Sequence, residues 1–318
     1  METTAKGCEY VADEMPISPA SQDITDPTEA AELIQGYLTR RLEATTSRWS
    51  GRPILMLSGG VDSILIATVL AKVRPDALAV SFAQPGGTAA AELATARNVA
   101  QHCGLEHLVV EPDAMEFKQL LAQTVSLLDY PEPWEILAGL VLVAINEHAL
   151  AHGADGAIVS GAGADALFLG GEENIDVDHW DAAVRAKITS NFTRERFIPD
   201  FYERLIDDPD RHIQVWQTVE AVRIAQRLHP TVVRGQDMRT DKKLFRDLAV
   251  KLGIPADLVS ATKNPMQVSS GGLDAIVQLA RTTLAKDYGT KTYSDPMSED
   301  LEFTVARLML QRLQRDSK

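Results

Sequence analysis

Cysteine is nearly absent: Cys8 and Cys103 are the two in 318 residues, and neither belongs to a CxxC or ligand-spaced cluster. That excludes a disulfide framework and a cysteine zinc site, and a cytosolic setting with incidental thiols is expected. No apolar run reaches the roughly 18 residues of a membrane span. The opening METTAKGCEYVADEMPISPA lacks the basic-then-apolar order of a signal peptide. Basic residues are outnumbered 31 to 45, a formal charge of −14. Neutralising a nucleic-acid backbone needs clustered Lys and Arg, so such a partner is disfavoured and phosphate chemistry is confined to one small basic pocket. The Walker pattern GxxxxGK[ST] is also missing. What remains is ordinary globular composition, 45% hydrophobic and 24% charged, in a chain long enough for one large domain or two modest ones.

Residues 1–26 are polar and interrupted by Pro16 and Pro19, and read as a loose leader ending before Pro27. Between Thr28 and Thr46 the spacing of Ala31, Ile34, Tyr37, Leu38 and Leu42 predicts an amphipathic helix. An alternation follows: strands at 53–57, 77–82, 107–110 and 156–160, with helices at 61–73, 89–102, 114–128 and 135–152. Apolar strands alternating with helices predict an α/β fold, a doubly wound parallel sheet covered on both faces, with ligands at the carboxyl ends of its strands. Beyond residue 175 strand signals vanish, and 178–190, 195–206, 211–228, 241–252, 272–286 and 298–314 read as helices. The expected organisation is a leader at 1–26, an α/β domain at 27–175 and a helical region at 176–318 packed over the site.

The sharpest local feature is LSGGVDS, Leu57 to Ser63, between a buried strand and a helix. Ser58, Gly59 and Gly60 form a turn whose N–H groups can converge on an anion, and the missing side chains allow close approach. The helix beginning there adds its positive end. Asp62 would repel a phosphate, so a bridging Mg²⁺ is the natural reason for it, and Ser63 offers a hydroxyl to phosphate or metal. The plainer alternative is a Gly-Gly turn with Asp62 and Ser63 as ordinary helix-start residues.

SGGVDS resembles the pyrophosphate loop of the N-type ATP pyrophosphatases, enzymes that split ATP between the α and β phosphates. VSGAGADALFLGG at 159–171 resembles the SGEGxDExFGGY signature of the asparagine synthetase C-terminal domain. The same domain is found in β-lactam synthetase. KKLFR, with Lys242 and Arg246 four apart, resembles its K-x-x-L-R pattern, and Lys263 through Gly271 resembles K-x-x-x-Q-x-x-S-G. The resemblance implies an adenine-nucleotide α-hydrolase-like (PP-loop) fold and the cofactors ATP and Mg²⁺. It implies Asp62 and Asp165 as metal ligands, with Leu57, Ser58, Gly59, Gly60, Ser63, Gly161, Lys242 and Arg246 around the phosphates. Val80 and Phe82 would border the adenine, and Lys263 would stabilise the charge of acyl transfer, with Lys242 as the second catalytic lysine. Read without the resemblance, Asp165 is a helix N-cap on a glycine turn and the lysines are solvated surface.

Departures concern the acceptor side. Ala162 and Ala166 replace the signature's glutamates, and Glu172-Glu173 replaces an aromatic. In the family's GxExRxPFLD segment, HIQVWQTVEA at 212–221 puts Gln214, Trp216 and Thr218 at the Glu, Arg and Pro positions. Residue 2 is Glu, where glutamine-dependent relatives carry the nucleophilic cysteine of a glutaminase domain. The expected activity is an AMP- and pyrophosphate-forming ligase that joins a small-molecule carboxylate, on a specialised metabolite rather than aspartate, to ammonia or an amine. The nitrogen could also come from a separate donor protein. Two alternatives stay open: activation of a carbonyl or nucleobase oxygen for sulfur or nitrogen transfer, and a non-catalytic nucleotide-binding paralogue.

Overall fold

The computed structural model describes residues 5–84, 89–173, 175–260, 270–288 and 302–316. Five short strands lie side by side: β1 (Ile54–Met56), β2 (Leu78–Phe82), β3 (Glu106–Val110), β4 (Ile158–Ser160) and β5 (His212–Gln214). All neighbours are parallel, in the order β3-β2-β1-β4-β5. Strand order reverses between β1 and β4, so a crevice opens at their carboxyl ends, where open α/β sheets bind ligands.

The helices first wrap one face: α1 (Val11–Glu14), α2 (Pro27–Arg48), α3 (Val61–Val73) and α4 (Ala89–Cys103). Next come α5 (Ala114–Leu128) and α6 (Pro133–Ala151) on the other face, then α7 (Ala164–Phe168) and α8 (Val177–Asn191). Among the described residues there follow α9 (Val219–Arg227), α10 (Pro230–Arg234), α11 (Lys243–Lys251), α12 (Ala256–Ser260), α13 (Gly272–Tyr288) and α14 (Glu302–Asp316). Local chemistry sets several starts. Asp26 accepts from the N–H groups of Thr28 and Glu29 ahead of α2, and Asp113 does the same for Met115 and Glu116 ahead of α5.

Alternation along the strands splits the core into two layers. Leu55, Ala79, Val159 and Ile213 face the layer built with α2, α3 and α11. Ile54, Leu78, Val80 and Ile158 face the layer built with α5, α6, α13 and α14. Among the described helices, α6 alone is long and apolar enough to cross a membrane by length and composition, and over half of it is buried inside the protein.

Three expectations are corrected. A strand exists beyond residue 175: His212–Gln214, inside the span read as a helix over 211–228, pairs with β4 through Ile158↔His212 and Ser160↔Gln214. Three residues buried on both faces carry no period that could separate strand from helix. The helix expected over 195–206 is reduced to the 3₁₀ turn Tyr202–Arg204. Pro199, in its middle, supplies no N–H, and Asp200 turns left-handed at φ 51°.

The expected loose leader is packed over its described residues, 5–26. Val11 and Ile24 are fully buried, Ile24 bridges to Leu228, and the Gly7 carbonyl accepts from the Gln214 N–H at 3.0 Å. Residues 7–9 thereby run beside the outer edge of β5.

Candidate active site

At the end of β1 the Leu57 N–H donates to the Val80 carbonyl at 2.9 Å, and its own carbonyl accepts from the Ser81 hydroxyl at 2.5 Å. The chain then turns through Ser58, Gly59 and Gly60 into α3. Gly59 has φ 78°, and a Cβ there would stand 2.4 Å from the Glu92 carbonyl oxygen of α4. Only glycine fits a left-handed position pressed against backbone. Gly60 begins α3 with no side-chain cap, so α3 presents its first-turn N–H groups and the positive end of its dipole at the crevice. The loop is knitted by its serines. The Ser63 hydroxyl donates to the Gly60 carbonyl at 2.9 Å and accepts from the Ser58 N–H at 3.2 Å, with the Ser58 hydroxyl another 3.2 Å away.

From β4 the chain runs through Ser160 and Gly161, where a Cβ would meet the Asp62 Cβ at 3.1 Å. The two loops therefore touch. Gly163, at φ 97° and pressed on Gln217, Trp216 and Phe192, starts α7, whose first turn carries Asp165. The third component is distant in sequence. Lys242 extends its ammonium between both carboxylates, 2.8 and 2.6 Å from the two oxygens of Asp62 and in contact with Asp165 Oδ1.

The environments differ sharply: the Lys242 side chain is 2% exposed, that of Asp62 7% and that of Asp165 67%. Burial pushes the Lys242 ammonium toward its neutral form, but the two carboxylates together outweigh burial and raise its pKa above the ordinary lysine value.

Lys242 is the residue before α11 and is left-handed, φ 48° and ψ 44°, rather than on the helix as its spacing from Arg246 predicts. The pull of the two carboxylates on Nζ accompanies that backbone. Arg246 turns aside, donating to the Asp241 carbonyl at 2.8 Å and to the Val259 carbonyl. Val80 is enclosed in the core, while Phe82 is half-buried at the carboxyl end of β2. Lys263 lies outside the described residues. The Ser270 that follows its segment accepts through its carbonyl from the Gln84 N–H at 2.8 Å, also at the carboxyl end of β2.

Gly170 is a site residue to which sequence reasoning assigned no role. A Cβ there would sit 2.0 Å from Asp165 Oδ1 and 2.6 Å from Lys242 Nζ. The signal was present in the Gly170-Gly171 pair, but its purpose needed the position of Lys242.

Trp216, expected to alter a substrate-reading position, is fully buried instead. It stacks on Phe245 at 5.0 Å and 22°, meets Phe168 edge-on at 5.2 Å and reaches Tyr37 at 5.7 Å. This aromatic group ties the end of β5 to α7, α11 and α2. Gln214, two residues earlier, is buried, with its Oε1 unpartnered among the described residues. Thr218 caps α9 by accepting from the Ala221 N–H at 3.0 Å.

For a divalent ion the donor set fits. Asp62 and Asp165 reach one cation between them, and no group of three His, Cys, Asp or Glu gathers among the described residues. One or two carboxylates, completed by phosphate oxygens and water, is the Mg²⁺ pattern rather than an all-protein cage.

A parallel sheet whose switch point carries a glycine loop, an uncapped helix start and a carboxylate pair has the makings of a phosphate-binding crevice. Residues 43–198 match the asparagine synthase family. No curated protein sequence matches it. Among solved structures, NMN synthetase from Francisella tularensis is 12% identical with a TM-score of 0.42, covering 93% of this chain and 97% of that one. An NH3-dependent NAD synthetase from Campylobacter jejuni is also 12% identical, with a TM-score of 0.38 over 92% and 96%. NAD+ synthetase from Burkholderia pseudomallei is 18% identical, with a TM-score of 0.31 over 85% and 93%. Likeness at this level carries no information about chemistry.

Proposed function

We propose that the protein is an ATP-dependent, AMP- and pyrophosphate-forming ligase that adenylates a carboxylate and passes the acyl group to ammonia or an amine. The match of residues 43–198 to the asparagine synthase family supports ATP-dependent amide formation in general. The observation that carries the finer reading is the meeting of Asp62, Asp165 and Lys242 beside the uncapped start of α3. In this reading a carboxylate oxygen attacks the α-phosphorus, the bond to the bridging oxygen breaks, and pyrophosphate leaves. The first-turn N–H groups of α3, the hydroxyls of Ser58 and Ser63 and the ammonium of Lys242 receive the charge that develops on pyrophosphate. Asp62 and Asp165 would hold Mg²⁺, which neutralises phosphate charge when bound. A nitrogen nucleophile then attacks the acyl carbon, AMP departs, and the nitrogen loses its extra proton to solvent or base. Lys263 is assigned to this second step by resemblance alone.

The changed acceptor positions, Ala162, Ala166 and Gln214, favour a carboxylate other than aspartate, on a specialised metabolite. Sulfur transfer is disfavoured by the thiols: burial pushes Cys103 up to about 11, with Lys72 opposing weakly, and pushes Cys8 to about 11 as well. Cys103 also ends α4, whose Glu92, near its start, packs against Gly59, so it stands at the far end of that helix from the loop.

The test is ATP–pyrophosphate exchange and AMP release over a panel of carboxylic acids. Exchange supported by one acid class is expected; stoichiometric ADP and orthophosphate with the active acid would overturn the reading.

A further inference from the structure

Lys242 has three N–H donors, and all three carboxylate oxygens within its reach are taken: both of Asp62 and Oδ1 of Asp165. The ammonium is thus saturated, and it cannot donate to a phosphate without releasing one of these oxygens. The same oxygens are those a divalent ion would need. An ammonium and a metal cation on one set of oxygens repel each other, so each occupancy disfavours the other.

The surrounding backbone is shaped for the lysine-bound arrangement. Lys242 and Leu169 are both left-handed, each at φ 48°, a conformation unfavourable for non-glycine residues. Gly170 lies so close over the pair that a Cβ would sit 2.5 Å from Lys242 Cε. Asp62 is buried, and a buried carboxylate without a counter-ion is costly. Asp165, largely exposed, is the partner that can be released at least cost.

We infer that Lys242 is the built-in counter-ion of the carboxylate pair, holding Asp62 and Asp165 together in the nucleotide-free protein and leaving them only when nucleotide phosphates offer it a replacement. The inference rests on the adenylating reading for the identity of those phosphates. It adds an order of events: the metal site becomes available as nucleotide draws the lysine off, so metal enters with nucleotide rather than ahead of it.

The test measures Mn²⁺ binding to the full-length protein by electron paramagnetic resonance, first with no nucleotide. Lys242→Met is expected to bind Mn²⁺ at least about tenfold more tightly than wild type, because a competing cation has gone. Lys242→Gln, whose amide can still donate to Asp62, carries the same expectation if Lys242→Met does not fold. Mn²⁺ affinity in the folded variant equal to or weaker than wild type overturns the inference. A second arm adds an ATP analogue with a methylene between the α and β phosphates. Here wild type is expected to gain Mn²⁺ affinity by a larger factor than the variant, since only wild type has a lysine to displace. An equal gain in both overturns the inference too. If wild type binds no nucleotide at all, the adenylating reading fails, and the metal-only comparison still decides the role of Lys242.

Discussion

Asp62 and Asp165 carry the same charge and face the same ammonium, yet one is buried and the other is mostly in solvent. Two facing carboxylates with nothing between them would repel, and removing either would be expected to relieve that repulsion. The intervening Lys242 reverses that expectation for the buried one. Asp62→Asn is expected to abolish AMP release and to lower stability by about 3 kcal/mol, because the lysine keeps only its exposed partner. Asp165→Asn is expected to abolish AMP release with less than about 1 kcal/mol lost, since solvent screens that contact. Urea midpoints and turnover check both; near-normal turnover in the two variants would sink the clamp.

A second buried group reports on pH. His212 donates or accepts at Ser160 Oγ over 2.9 Å, its Nδ1 has no partner among the described residues, and burial lowers its pKa from 6.5 to about 4. In the unfolded chain it takes a proton near pH 6.5, and in the folded protein only near pH 4. The unfolded state therefore binds more protons between those values, and stability present above pH 6.5 is lost as pH falls toward 4. His212→Gln should show a shallower decline of melting temperature over that window. Identical slopes would show that His212 is not held neutral.

At the scale of elements, two adjacent glycines after α7 serve different ends. Gly170 is excluded from bearing a side chain by Asp165 and Lys242, whereas at Gly171 a Cβ would meet nothing within 4 Å, although its φ is 74°. Gly170→Ala should reduce ATP-dependent turnover by roughly 10²-fold or more, because displacing a positioned group by about 1 Å has that effect. Gly171→Ala should retain turnover and lose about 1–2 kcal/mol to the left-handed backbone. Parallel kinetics and melting curves distinguish them; equal turnover in the two variants would contradict the close approach at Gly170.

Across the whole molecule, residues 5–26 pack against the core rather than trail as a leader, with Tyr10, Val11 and Ile24 buried. Glu9 accepts from the Val219 N–H at 2.7 Å, and the Gly7 carbonyl takes hydrogen bonds from Arg41 at 3.1 Å and from the backbone of β5. Together with Val11 and Ile24 they cover the outer edge of the sheet and part of the layer behind it. Deleting residues 1–26 should lower the melting temperature and bare a strand edge that promotes aggregation. Calorimetry with light scattering would reveal both, and an unchanged, monomeric melt would refute the packing role.

The sequence by itself determined the α/β alternation, the strands β1 to β4 with the helices between them, and the loop from Leu57 to Ser63. Each rests on chemistry confined to a few neighbouring residues: apolar period, helix starts, and glycines where backbone must turn tightly. The tertiary structure decided what depends on residues far apart. Lys242 and Asp62 are 180 positions apart, so no local pattern could foretell that the lysine lies between the carboxylates or that Gly170 must leave room for it. Trp216 became a core residue because Phe245, Phe168 and Tyr37 converge on it from three other segments. His212–Gln214 became a strand because β4 offered an open edge, and three buried residues have no periodicity of their own to announce a partner.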